Sequence, residues 1–506
     1  MRKLGLFAAG AALLLGTIGA RAQSPTQAPA QPPAQAPAWD PQPWLADLAQ
    51  MRQALDTKYA NLEWLTTERE VDVPALFVRA EAALRAAGSD AGATALFNRL
   101  VTRIADGHVS IDWPRPAAAP AAATVAPPAA GPAAPAAPQT ADAMCRSLGY
   151  GSPAAKGVTP ALPGYIPLKD GDVLPAGTAT IAGMKYGFLR IGIFQPEGSP
   201  SLCTEAVAAL SIPLDRPCDD ECKDRIITRA YQRLMAAMDD RLTRLRAAGA
   251  QLLVVDIAGN GGGSEWTEAA ARMLSRRPLQ SARIGFVRGA HWAGTWTRTR
   301  DKLREALPTA SPEDRRRLTA WIAQAEAARV EAERTCPPAD GACPRLARAG
   351  YATGLVGNVP AGAFAGKDWA PWVFIASQFP YRDGAWDGPV VVLTDQETWS
   401  AAEQFAAILQ DNRAAIILGA RTGGSGCGHT WGGTPTRLTN SGATLNVPDC
   451  VRFRADGSNE VRGIIPDQLI PWRVNDGRAF RARLLEAALP EAARRAQALY
   501  QARAGN

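Results

Sequence analysis

The sequence predicts an α/β fold preceded by a helical N-terminal domain, and three patterns carry that prediction. Leu252 to Asp256 is a short apolar run, followed by a glycine turn from Gly259 to Gly263 and an apolar helical pattern from Ser264 to Leu274. Pro389 to Thr394 is a second β-branched run, followed by a polar turn and a helix from Ser400 to Gln410 with Ala401, Phe405, Ile408 and Leu409 on one face. Continuous apolar runs suit strands covered on both sides, and strand, turn and helix in succession are the signature of an α/β layer. Third, Trp44, Leu48, Met51 and Leu55, then Phe77, Ala80 and Leu84, then Leu96, Leu100 and Ile104 recur at three- and four-residue spacing, the period of amphipathic helices.

In chain order, Arg2 and Lys3 precede an apolar run from Leu4 to Ile18, and Ala20-Arg21-Ala22 has the small-x-small form of a cleavage site. Residues 1–22 therefore read as a signal peptide. The run is shorter than the roughly 20 residues a spanning helix needs. The expectation is a periplasmic or secreted protein without a stable membrane anchor. Residues 23–38 are Pro/Ala/Gln-rich and form a disordered leader. Residues 39–113 are the helical domain, ending in Asp106-Gly107-His108 where a helix stops at Gly107 and a strand begins. Residues 114–141 are almost wholly Pro and Ala, a linker or flap without a core of its own. Residues 142–474 form the α/β domain, with a charged helical insertion near 301–335, and residues 475–506 a C-terminal helix. Inside the α/β domain, Tyr186 to Phe194, Trp369 to Ile375, Ala414 to Gly419, Thr444 to Val447 and Val451 to Arg454 read as further strands. Ile227, Tyr231, Leu234, Met238 and Leu245 mark a long amphipathic helix.

The formal net charge is +7, and removing Arg2, Lys3 and Arg21 with the leader leaves +4. The basic residues are scattered, so nucleic acid is not an expected partner. Eight cysteines, an even count in an exported chain, favour disulfides, with Cys336/Cys343 and Cys427/Cys450 as local pairs. Paired close spacings with histidines are missing, so neither a metal nor a cofactor is expected.

Ser400 sits at a strand-to-helix corner, where a hydroxyl can face substrate and free helix N–H groups can hold an oxyanion. Ser400-Ala-Ala-Glu403 is equally a helix capping box. A serine nucleophile needs a base. The chain has three histidines, His108, His291 and His429, of which His108 lies at the helix-to-strand turn and His429 on a glycine-rich loop, Arg421 to His429. Glu460 lies in a polar turn before an apolar stretch. The glycine turn Gly259 to Gly263 suits an anion or an oxyanion, but it lacks the Lys-Ser/Thr of a P-loop.

Together these pieces resemble the family of tail-specific (C-terminal processing) proteases and the tricorn core. The order Asp256-x-x-x-Asn260-Gly-Gly-Gly263, Thr398-x-Ser400-Ala-Ala-Glu403, Thr422-Gly-Gly424 and Glu460-x-x-Gly463-Ile-x-Pro466-Asp467 is similar to that family's motif order, over roughly Tyr186 to Ile470 plus Asp106-Gly-His108. The resemblance implies a crotonase/ClpP-like β/α core and a serine peptidase acting on peptides or proteins. The processing branch uses a lysine about 25 positions after the serine. Here Ser425 stands in that place, and no lysine follows Asp395. The resemblance is therefore closer to the tricorn-like Ser/His branch. It implies Ser400 as nucleophile, His108 as base, Glu460 as orienting carboxylate, and Ala401 with Gly262 or Gly261 as oxyanion donors. His429 is the alternative base. Trp399 and Trp431 are candidate pocket residues, with buried packing as their expected job.

Two other readings stand beside the peptidase. The fold also serves as a non-catalytic ligand- or peptide-binding scaffold, but such a protein should have lost one of Ser400, His108, Glu460 and the glycine turn. An acyl-CoA enzyme of the related crotonase fold conflicts with the export signal. Oligomeric state is not legible.

Overall fold

The computed structural model describes residues 39–114, 140–151, 157–169, 171, 173–335, 344–430 and 433–504. The signal peptide, the leader, most of the Pro/Ala segment, Cys336, Cys343 and Trp431 lie outside them. No helix among the described residues is long and apolar enough to cross a membrane.

The centre is a seven-stranded sheet in the order Gln468–Leu469, Ile416–Gly419, Val390–Thr394, Leu252–Asp256, Met184–Arg190, Ala176–Ile181, Ile166–Pro167. Its first five strands are parallel and the last two antiparallel. Residue parity decides which side each apolar side chain enters, because successive strand residues point to opposite faces. Leu253, Val255, Val390 and Val392 face helices Pro200–Ala209, Asp220–Ala247, Trp266–Arg272 and Ala401–Asp411. Leu252, Val254, Val391 and Leu393 face the C-terminal helix Arg478–Ala504 through Leu485, Leu489, Ala492 and Ala496. Both faces are covered, which is why these strands read as unbroken apolar runs.

The helical insertion is Ala290–Ala306 and Pro312–Glu333. It packs on a three-stranded antiparallel sheet, Cys450–Phe453, Arg283–Val287, Leu346–Tyr351. Trp369 to Ile375 is not a strand: Ala370–Val373 is a helical turn followed by a 3-10 turn at Ile375–Gln378. Pro371 in the first turn has its φ preset for a helix and no N–H to give a ladder. Disulfides join Cys145–Cys203, Cys218–Cys222 and Cys427–Cys450.

The N-terminal helices Gln42–Lys58, Val73–Arg85 and Asp90–Ile104 are fastened to this body by polar contacts. Strand Ser110–Asp112 pairs with Thr444–Asn446, and Arg345 donates to the carbonyls of Leu55, Asp56 and Tyr59. The buried Asp47 carboxylate accepts the N–H of Asn440 at 2.9 Å, its side-chain amide at 2.9 Å and the N–H of Ser441 at 2.7 Å. Burial alone would raise this carboxyl, but those donors bring it below its ordinary value. A depressed acid stabilises the fold above its unfolded pKa, and that contribution is lost as pH falls through the lowered value. Asp47→Ala should cost about 1–3 kcal/mol by orphaning buried donors. Urea melts at pH 7 should show the loss, and it should shrink when the melts are repeated at acid pH.

Candidate active site

Ser400 ends the turn after Val390–Thr394 and starts helix Ala401–Asp411, with φ 57° and ψ −117°. Positive φ is uncommon outside glycine and holds the residue in a strained conformation. The turn is clamped to its neighbours. Asp395 accepts the N–H of Gly259 at 2.7 Å and that of Glu397 at 3.1 Å, and Trp399 N–H donates to Asn260 O at 2.9 Å. The nucleophile turn and the glycine turn are therefore one unit. A Cβ on Gly262, whose φ is 111°, would lie 2.7 Å from Ser400 Cβ. Only glycine fits there.

His108 reaches Ser400 from the N-terminal helices. The helix Asp90–Ile104 stops at Ala105 in a left-handed conformation rather than at Gly107. Gly107 serves close approach instead, since a Cβ there would sit 2.2 Å from Ser425 Oγ. His108 Nε2 lies 3.0 Å from Ser400 Oγ, and Nδ1 lies 2.9 Å from Ser425 O. A carbonyl only accepts, so Nδ1 carries the proton and Nε2 is free to accept from the Ser400 hydroxyl. Burial, opposed by the Ser425 carbonyl and aided by the positive charge of Arg452, lowers the imidazole to about 4. Behind it, Asp106 accepts His108 N–H at 3.0 Å, Tyr59 O–H at 2.9 Å and Asn61 Nδ2 at 2.9 Å. Burial lifts Asp106 to about 6 against the pull of these donors.

His429 is not on the serine. Its Nε2 donates to His108 O at 3.1 Å, with the two rings edge to face at 6.0 Å. His429 thus buttresses the backbone of His108. His291 is farther out, 2.6 Å from Thr430 O.

Glu460 is not on the imidazole either, which corrects its reading as the orienting carboxylate. It is 1 % exposed and gripped by Arg452, with Nε 3.0 and 2.9 Å and Nη2 2.6 Å from its oxygens. A carboxylate at this depth requires a cation, and Arg452 on strand Cys450–Phe453 supplies one. Arg452 Nη2 also donates to Gly426 O at 2.8 Å and to Ser400 O at 3.3 Å. The group that orients the imidazole is the Ser425 main-chain carbonyl, at the position where a dyad enzyme would carry its lysine.

The three oxyanion candidates separate. Gly262 N–H is donated to Asn260 Oδ1 at 2.9 Å, so it is engaged within the turn. Ala401 N lies 3.2 Å from a Cβ built on Gly262, which brings the helix start and the glycine turn face to face, and Gly261 is exposed at the turn's tip. Trp399 is 41 % exposed beside Ser400, not buried as expected. Its Nε1 donates to Gln396 O at 2.7 Å, which fixes the ring at the surface. No group of His, Cys, Asp and Glu among the described residues could hold a metal.

Sequence reasoning missed Arg452, which sits in an ordinary-looking strand, Asp395, whose partner Gly259 lies 136 positions away, and the Ser425 carbonyl, which has no side-chain signature. It named Glu403 only as a cap, although its carboxylate also binds the glycine loop.

The chain is also similar to known proteins. Residues 227–470 match peptidase family S41. The crystal structure of mature CPAF superposes with a TM-score of 0.55 at 15 % identity, covering 90 % of this chain and 98 % of that one. Mature CPAF complexed with lactacystin gives 0.55 at 14 %, covering 90 % and 99 %. At such identities the likeness is one of fold. No curated protein matches the chain. The sheet, the helical N-terminal region and the family match agree: residues 227–470 are a peptidase family S41 domain, of the family of tail-specific proteases, and the protein is a serine-type peptidase.

Proposed function

We propose that the protein is an exported peptidase that cleaves peptide bonds through an acyl-enzyme on Ser400, with His108 as general base and acid. The observation that carries this is the 3.0 Å contact between His108 Nε2 and Ser400 Oγ in a tautomer set by Ser425 O. As Ser400 Oγ bonds to the carbonyl carbon of the scissile peptide, its proton passes to His108 Nε2. The C–N bond then breaks, and the same proton goes to the leaving amine. Water then bonds to the acyl carbon as its proton passes to His108, and that proton goes to Ser400 Oγ as the ester bond breaks and the acid leaves. The N–H groups of Ala401 and Gly261 hold the tetrahedral oxyanion, a role in which one donor contributes about 3 kcal/mol.

Glu460 acts through Arg452 rather than as a triad member. Its charge offsets the guanidinium that would otherwise disfavour the imidazolium, and the pair holds Gly426 and Ser400 by their carbonyls. Export rests on the leader sequence and on the disulfides, which persist in oxidising compartments.

Fluorophosphonate labelling of the purified protein tests the nucleophile and base together. Labelling should vanish in Ser400→Ala and fall about 10³-fold or more in His108→Ala, while His429→Ala retains at least a tenth of the wild-type rate. Loss in His429→Ala with survival in His108→Ala would overturn the assignment.

The pH profile offers a second test. Catalysis needs neutral His108, and its value near 4 means the base is free above that pH and protonated below it. The acid limb of kcat/KM should therefore lie near pH 4, well below the roughly 6.5 of an ordinary histidine. A limb at 6.5 would contradict it.

Removing one partner of the buried Arg452–Glu460 pair should be severe. Glu460→Ala should lose about 3–5 kcal/mol in chemical denaturation, because Arg452 is left charged and unpaired.

A further inference from the structure

Glu403 is fully buried at the third position of the nucleophile helix, and its two oxygens accept five hydrogen bonds. Oε2 takes the N–H of Ser400 at 2.9 Å, of Ser425 at 2.8 Å and of Gly426 at 3.3 Å. Oε1 takes the N–H of Gly424 at 2.7 Å and the Thr422 hydroxyl at 2.6 Å. That hydroxyl must donate to Glu403, since it accepts Ile464 N–H at 2.6 Å. Three successive main-chain N–H groups converging on one anion make a nest. The glycine-rich loop is therefore an anion-binding loop whose anion is internal. Gly424 and Gly426, at φ 82° and 58°, supply the positive φ such a loop needs.

Three consequences meet in this one side chain. Ser400, in its strained conformation, has its own N–H held by Glu403. Ser425, whose carbonyl orients His108, has its N–H held by the same oxygen. The carboxylate thus fixes the nucleophile relative to the group that aims the base. A simple helix cap needs only the first of these bonds.

We propose that Glu403 is the positioning residue of the active site, setting the Ser400–His108 geometry by binding the nucleophile's N–H and the loop that carries the Ser425 carbonyl. This rests on the assignment of Ser400 and His108 above and names a residue which that assignment does not include.

The test compares wild type, Glu403→Gln and Thr422→Val on a quenched-fluorescent peptide, with active serines counted by fluorophosphonate titration. In Glu403→Gln an amide N–H₂ faces donors on one side of the nest. The rate per titrated serine should fall about 10²-fold with KM within about threefold. The acid limb should also move to lower pH, because the carbonyl that favours protonated His108 drifts away. Thr422→Val removes one donor and keeps the charge, so it should fall about 3- to 10-fold in the same direction, and it carries the test where Glu403→Gln does not fold. Selective ¹⁵N-histidine NMR reads the same event without turnover: the His108 Nδ1–H signal, assigned by its loss in His108→Ala, should be retained in wild type and exchange faster in both variants.

Normal turnover per active serine with an unmoved acid limb in Glu403→Gln would overturn the positioning role and leave the Ser/His assignment standing. A drop in activity only in proportion to the folded fraction would do the same. A folded wild type that is neither labelled nor active, with its Nδ1–H exchanging freely, would instead overturn the Ser/His assignment and the role of Glu403 with it.

Discussion

The structure depends on one imidazole being held at both nitrogens by partners that the chain supplies from its far side. His108 meets Ser400 across 292 positions and Ser425 across 317. Neither contact can form until the N-terminal helices are seated on the sheet-bearing part of the chain. The polar fastenings at Asp47, Arg345 and strand Ser110–Asp112 are thus conditions for the Ser400–His108 contact as much as for stability. The S41 match begins at residue 227, well after the base. The matched region holds Ser400, Ala401 and Gly261 but not His108.

The protein also buries charge in pairs. Arg452 with Glu460, Arg190 with Asp256 and Arg272 with Glu268 are ion pairs with side chains 9 % exposed or less. Such pairs gain little net stability, because desolvation consumes most of the Coulombic attraction. Their gain here is geometric. Asp256 holds the N–H groups of Val158 and Thr159 and that of Ala258 just before the glycine turn, while Arg452 holds Ser400 and Gly426 by their carbonyls. Each charge fixes a loop that apolar packing could not fix, because loops have more main-chain donors and acceptors than side chains to bury.

What was legible in the sequence follows from the range of the forces involved. The strands around Val254 and Val392 and the helix behind Ser400 were readable because parity and helical period are local. Motif order grouped Ser400, His108 and the glycine turn, and the three lie side by side in the structure. Glu460 was placed in the right region but on the wrong partner, since its partner Arg452 sits in an ordinary-looking strand and announces nothing. Trp369 to Ile375 misled because apolar aromatic runs suit both strands and buried turns, and Pro371 was the local sign that separated them. Ser425 could not be found by side-chain chemistry at all, because its contribution is a carbonyl.

That carbonyl shapes the chemistry. A carboxylate on Nδ1 would stabilise the imidazolium strongly and raise the pKa of the base. A neutral carbonyl stabilises it less, burial disfavours it, and Arg452 disfavours it further. The base is consequently unprotonated throughout the neutral range but weak, and a weak base gives less driving force for taking the serine proton. On the proposed acyl-enzyme route, the rest of the barrier is lowered where charge builds on the other side of the bond, at the oxyanion. There the main chain is held most firmly: the turn of Ser400 is locked to Asn260, the glycine turn to Asp395, and the nucleophile's N–H to Glu403. Rigid donors stabilise a developing charge without reorganising, so a site with a weak base gains most from a stiff oxyanion frame. The strained or close-packed positions Gly262 and Ser400 meet at that frame, which is where such a division of labour requires them.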